Sequence, residues 1–290
     1  MFSIIGIIIV FVGVFGGYIL AGGKMKIIIK AAPFEMMMIG GAAIGAFLIA
    51  NSTTLLKHMG HALKQIFKGA KYTKQDYIDL LQILFALTRL MKIKGFVVVE
   101  GHIENPDESE IFQPYPGIRD DKFAMTLIRD SIRMMTMDMT DPLEMEDIME
   151  KRIEKRKEEE LHPAHALTTM ADGLPALGIV AAVLGVIKTM GSIDEPPEIL
   201  GKMIGGALVG TFLGVFLSYG FVGPFGGRVE SVVEEEIYFY RVIKEVLIAN
   251  LRGRAPQICV EIGRGSIPSH LQPDFYEVEE AMDEAPNVTS

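Results

Sequence analysis

Chemistry needs side chains that can move a proton, hold a metal or attack a carbonyl, and this chain offers few of them in useful patterns. His58 and His61, and again His162 and His165, have the i,i+3 spacing that lets two imidazoles share one helix face. Neither pair has a nearby Cys or a convincing third ligand, so both read as surface or interfacial histidines. Gly40, Gly41 and Gly45 lie inside an apolar run and lack the Lys-Ser/Thr that completes a phosphate loop. No Gly-x-Ser-x-Gly elbow and no Ser/His/Asp order stands out, so neither an enzyme nor a cofactor is expected. The remaining candidates are only weakly polar. Thr211, Gly214 and Ser218 share one face of an apolar stretch, and Pro175, Gly178, Ala182 and Gly185 share one face of another. Such stripes can line a narrow ion path or let two helices approach closely, and spacing leaves both open.

The elements that carry these residues are membrane spans. With 49% hydrophobic residues and a mean hydropathy of +0.31, the chain is too apolar for an ordinary soluble protein. Residues 2–23, 36–56 and 203–227 carry no charge, and each run can cross roughly 30 Å of hydrocarbon at about 1.5 Å per helical residue. A fourth run, 173–187, reaches spanning length if Lys188 snorkels to the interface. The first run lacks the basic region of a signal peptide and reads as a retained helix. The expected fold is an all-α integral membrane protein with four transmembrane helices, a large helical cytoplasmic loop and a cytoplasmic C-terminal helix. Its expected divisions are 1–56 for the first two spans, 57–172 for a cytoplasmic helical domain, 173–227 for the last two spans, and 228–290 for a helical extension and acidic tail.

Because the four uncharged runs hold no Asp, Glu, His, Lys or Arg, the chain by itself is expected to offer no protonatable relay across the bilayer. A net charge of −9 argues against nucleic acid as a partner. The single Cys259 excludes an internal disulfide and fits a reducing cytoplasm.

Lys57, Lys64, Lys68, Lys71 and Lys74 follow span two with no acid before Asp76, which places that loop, and both termini with it, in the cytoplasm. Asp194, Glu195 and Glu198 then sit in a periplasmic loop, while Lys24, Lys26 and Lys30 in the first hairpin run against the rule. Tyr77, Leu80, Leu81, Leu84, Leu87 and Met91 recur at helical spacing, as do Phe123, Leu127, Ile128 and Ile132 after a Pro/Gly-rich break at 113–117. A third soluble helix over 142–160 ends in a charge run, 150–160, that reads as a solvated face with i,i+4 pairs. Val232, Val233, Ile237, Tyr240, Ile243 and Leu247 carry span four onward to a stop at Gly253. The acidic tail is expected to fray beyond Glu280.

Glycines at every fourth position, Gly206, Gly210 and Gly214, with Gly13 and Gly17 in span one and Gly41 and Gly45 in span two, permit close helix packing. Pro175 has an ordinary reading in the first turn of a helix capped by Asp172, and Pro224 one as a bend at the exit of span four.

Three strings go beyond composition: Asp172-Gly-Leu-Pro-Ala-Leu-Gly-Ile-Val-Ala-Ala-Val-Leu-Gly-Val-Ile187; Leu208-Val-Gly-Thr-Phe-Leu-Gly214 with Tyr219-Gly-Phe-Val-Gly-Pro224; and Ile103-Glu-Asn-Pro106 with Glu110-Ile-Phe112. They resemble the flagellar motor stator subunits, MotA, of the MotA/TolQ/ExbB proton-channel family. The resemblance implies a homo-oligomeric ring of five such subunits in the bacterial inner membrane, around a MotB-like single-span, peptidoglycan-binding partner that supplies the channel Asp. It implies ion passage lined by Thr211, Ala182 and Ser218, and conformational coupling at Pro175 and Pro224. Ala182 falls where sodium-driven relatives carry a hydroxyl, which points to H+ as the transported ion. Contact with the rotor protein FliG falls to Glu100 and to a basic residue that is Lys92 by ungapped counting or Arg89 by local similarity. Two alternatives stay open: an ExbB/TolQ-like energiser of an outer-membrane system, and a membrane scaffold without transport.

Overall fold

The computed structural model describes residues 2–137 and 139–286, and among them every regular element is helical. In chain order the helices are α1 (Phe2–Leu20), α2 (Met25–Ala50), α3 (Thr53–Lys68), α4 (Lys74–Lys94), α5 (Phe96–Glu104) and α6 (Pro116–Arg119). They continue as α7 (Lys122–Thr136), α8 (Pro142–Met190), α9 (Pro197–Leu251), α10 (Pro256–Gly265) and α11 (Phe275–Glu284). Helices α1, α2, α8 and α9 are long and apolar enough to cross a membrane.

The chain divides into two compact units, Met1–Gly69 with Glu160–Val232, and Ala70–Glu159 with Val233–Ser290. The first holds the spans. Its core is Ile39, Ala43, Leu174, Ala181, Val209 and Leu213, drawn from α2, α8 and α9. Helix α1 joins through phenylalanines: Phe11 and Phe15 meet Phe216 edge-on with ring centroids 5.7 and 5.3 Å apart, a geometry that suits aromatic quadrupoles. The amphipathic α3 is capped by the Ser52 hydroxyl, which accepts from Leu55 N at 3.3 Å, and Ser3 Oγ donates to Ile66 O at 2.8 Å. Between α1, α2 and Leu213 lies an open groove of about 580 Å³ lined only by apolar side chains and Gly16, a surface for hydrocarbon. Large apolar side chains such as Leu20, Ile49, Ile187 and Leu208 point outward, as membrane spans require.

The second unit packs α4 at its centre, with Tyr77, Leu80, Leu81, Leu84, Leu87 and Met91 all buried. Tyr72 stacks on Phe239 at 3.8 Å, and its hydroxyl donates to Asp121 at 2.5 Å. Asp121 also accepts from Lys71 Nζ at 2.5 Å and from Ala124 N at 2.9 Å, where it caps α7. Cys259 on α10 is buried and donates to Arg254 O at 3.7 Å; burial pushes its thiol up to about 11.

Five expectations need correction. Span two is not 36–56: Ala50 ends α2, Ser52 begins a new helix, and the N-terminal boundary lies at Met25, so Lys26, Lys30 and Glu35 belong to the helix. The helix expected over 142–160 and span three are one helix of 49 residues. Pro175 therefore sits in a helix interior, and Asp172 is no cap. The charge run 150–160 is only partly a solvated i,i+4 face: Lys151 pairs with Asp147 at 2.6 Å, but Glu150 binds Lys244 at 2.7 Å and Glu154 binds Arg241 at 3.0 Å on α9. The tail does not fray at Glu280, because Asp274 and Glu277 form a capping box and Val278 and Ala281 bury one face of α11. The last residues of that expectation, 287–290, lie outside the described residues.

Candidate functional site

The weakly polar stripes meet along one seam between α8 and α9. A Cβ placed on Gly178 would lie 2.8 Å from Gly210 O and 3.0 Å from Gly214 Cα. On Gly214 it would lie 2.6 Å from Leu174 O, and on Gly185 2.6 Å from Ala207 Cβ. The backbones touch, so glycine is required, and the stripe acts as a packing seam with no room for an ion inside it. Pro175, Ala182 and Thr211 are half-buried at its margin.

Ser218 is fully engaged. Proline at 175 has no N–H, so the carbonyl four residues earlier, Ala171 O, loses its helical donor. The buried Ser218 Oγ donates to that carbonyl at 2.6 Å. Ser218 also opens a π-helical turn, Ser218–Val222, inside α9. In a regular α-helix the Pro224 ring would collide with the Gly220 carbonyl, and the wider turn relieves the clash. One hydroxyl thus links the backbone fault made by Pro175 to the turn that accommodates Pro224.

Sequence reasoning missed Glu35. It lies ten residues into α2, 6% exposed, and its Oε2 has no hydrogen-bond partner. A Cβ on Gly210 would fall 2.6 Å from that oxygen, and 3.1 Å from Ala182 N. The carboxyl therefore occupies the space that glycine leaves, beside the positions assigned to the ion path. The expectation that no titratable group lies within the spans is corrected here, because the uncharged run was taken for the whole span. A signal was present: Glu35, Ile39 and Ala43 recur every fourth residue and are the buried face of α2.

The charged residues expected to meet a rotor lie in the other unit. Lys92 is exposed on the last turn of α4, Gly95 reverses the chain at φ +83°, and Glu100 is exposed on α5. Arg89 is half-buried and already engaged within the chain. Val99 and Ile103 are the buried residues of α5, while Ile93 and Val97 stay exposed between the two charges. His58, His61, His162 and His165 are all exposed, and no group of three or more His, Cys, Asp or Glu converges among the described residues.

Known proteins share the sequence pattern and the fold of this chain. Residues 4–95 match the family described as Motility protein A N-terminal, and residues 119–241 match the MotA/TolQ/ExbB proton channel family. Motility protein A of Salmonella typhimurium is 39% identical over 97% of this chain and 94% of its own length, and that of Escherichia coli gives the same figures. Chemotaxis protein LafT of Vibrio parahaemolyticus is 33% identical over 98% of this chain and 99% of its own. The fold is also that of the MotAB structure from C. jejuni, with a TM-score of 0.72, 20% identity and coverage of 92% and 95%. The flagellar MotAB stator complex from Bacillus subtilis has a TM-score of 0.70 at 24% identity, covering 93% and 98%.

Proposed function

Because the chain belongs to the motility protein A family, within the MotA/TolQ/ExbB proton channel family, we propose how its residues serve as those of a flagellar motor stator subunit. It is an inner-membrane protein, and its role is that of a channel and motor component, not of an enzyme. The observation that carries the reading is the seam: Gly178 and Gly214 close the space between α8 and α9. Ions therefore pass along the outer margin of this pair, where Ala182 and Thr211 stay half-exposed. A MotB-like partner closes that side and supplies an intramembrane Asp, and several copies, five in the family pattern, surround it.

The transported ion is the proton, with sodium disfavoured by the methyl group of Ala182. Both termini face the cytoplasm, where Lys92 and Glu100 meet the rotor protein FliG; Arg89 supports that surface from within. Each proton crossing releases about 2.3 kcal/mol per 100 mV, enough to drive small conformational steps one proton at a time. In liposomes, the chain with its partner conducts protons and the chain alone does not. Replacing the partner's Asp by Asn abolishes the flux. Equal conduction by the chain alone would overturn the two-component path.

A further inference from the structure

Of the two acids buried among the described residues, Asp121 has partners and Glu35 has none. An unpaired carboxylate in an apolar interior costs far more than any contact it could make, so the charge at Glu35 must be neutralised by something that comes and goes or is always there. No group among the described residues does this: α8 offers Ala181 and Ala182 and α9 offers Gly210, none of which titrates. Lys26 and Lys30 on α2 itself are exposed and make no ion pair with it, Lys188 on α8 is exposed, and Lys202 on α9 pairs with Glu198 at 2.7 Å. A sodium ion would need several oxygens to replace its water, and the surrounding glycine and alanine side chains have none. A proton needs only Oε2.

The site is also built. Gly210 leaves the carboxyl its space, Ala181 and Ala182 border that space on α8, and Ile39 on the same face of α2 belongs to the buried core. We propose that Glu35 is a proton-binding group of this chain, a second titratable station on the ion path besides the partner's Asp. The O–H bond forms on Oε2 as a proton arrives from one side and breaks as it leaves toward the other, so nothing is consumed. The inference rests on the stator reading above.

The test uses the complex of the chain with its partner in liposomes. Wild type shows the infrared carbonyl band of a protonated carboxyl, and Glu35→Gln loses it. Proton flux in E35Q falls about tenfold or more, equal to ~1.4 kcal/mol on the barrier, while Glu35→Asp keeps part of it. A conducting wild type with unchanged flux in E35Q, or no such band in wild type, overturns this inference alone. A wild-type complex that passes no protons overturns the stator reading and this inference with it. Should E35Q fail to assemble, modification of wild-type Glu35 by a hydrophobic carbodiimide, which needs the protonated acid, supports the proposal, and its absence overturns it.

Discussion

Single residues set two different electrostatic problems in this chain. Burial pushes the Asp121 carboxyl up, but the N–H of Ala124, Lys71 and the Tyr72 hydroxyl outweigh it and hold the group below the usual carboxylate range. A depressed folded-state value stabilises above the unfolded value and loses that contribution as pH falls through the folded one. Melting of the full chain in detergent should therefore drop on acidification. Asp121→Asn should cost about 2–4 kcal/mol near neutrality and flatten that dependence; circular dichroism at neutral and acidic pH reads both, and an unchanged acid slope counts against it. For Glu100 and Lys92, exposed on either side of Gly95, charge reversal should weaken swimming while assembly and proton flux stay intact, since surface charges steer and register a partner. Equal loss of flux and torque would point to misfolding instead. These two charges were legible in the sequence, whereas Glu35 was marked there only by its four-residue spacing with Ile39 and Ala43, since the space it fills depends on a glycine 175 residues away. Nor could the sequence pair Lys71 with Asp121, because such contacts exist only once helices are docked.

At the scale of helices, the informative fault lies at Pro175. Its missing N–H is replaced by the hydroxyl of Ser218, so the two positions should be coupled. Ser218→Ala leaves Ala171 O unsatisfied and should cost about 1–3 kcal/mol. In a Pro175→Ala background the restored amide can serve that carbonyl, and the same change should cost less. Thermal unfolding of the four proteins tests this, and strict additivity would show that the contact carries nothing. Pro175→Ala should also lower motility without lowering membrane insertion, because it removes the link to the π-helical turn before Pro224. Period and apolar runs made the helices legible, but not their continuity. The change from a charged run to an apolar one near 160–173 looks like a boundary, although both halves favour helix and α8 absorbs Pro163 and Pro175 without a break.

Taken whole, the chain has glycines of two kinds. Those of the α8–α9 seam are in contact, whereas a Cβ added at Gly13, Gly17, Gly41 or Gly45 would meet nothing within 4 Å. Gly214→Val should therefore destabilise the single chain, while exposed Gly41→Val should leave its melting unchanged and reduce the oligomer seen by native mass measurement. Loss of stability in both, or of association in neither, would sink the distinction. Four apolar runs and their small-residue faces were readable in advance because hydrocarbon thickness fixes span length; which faces close within one copy depends on distances no sequence states. The buried Cys259 has a practical side. With its thiol at about 11, roughly one in ten thousand is ionised at neutral pH, and the side chain is fully buried. Maleimide dyes should pass the native chain by, leaving it in effect a cysteine-free background. A single cysteine introduced at either terminus or on α5 would then carry the only fluorophore, so that one chosen site of the chain can be followed optically.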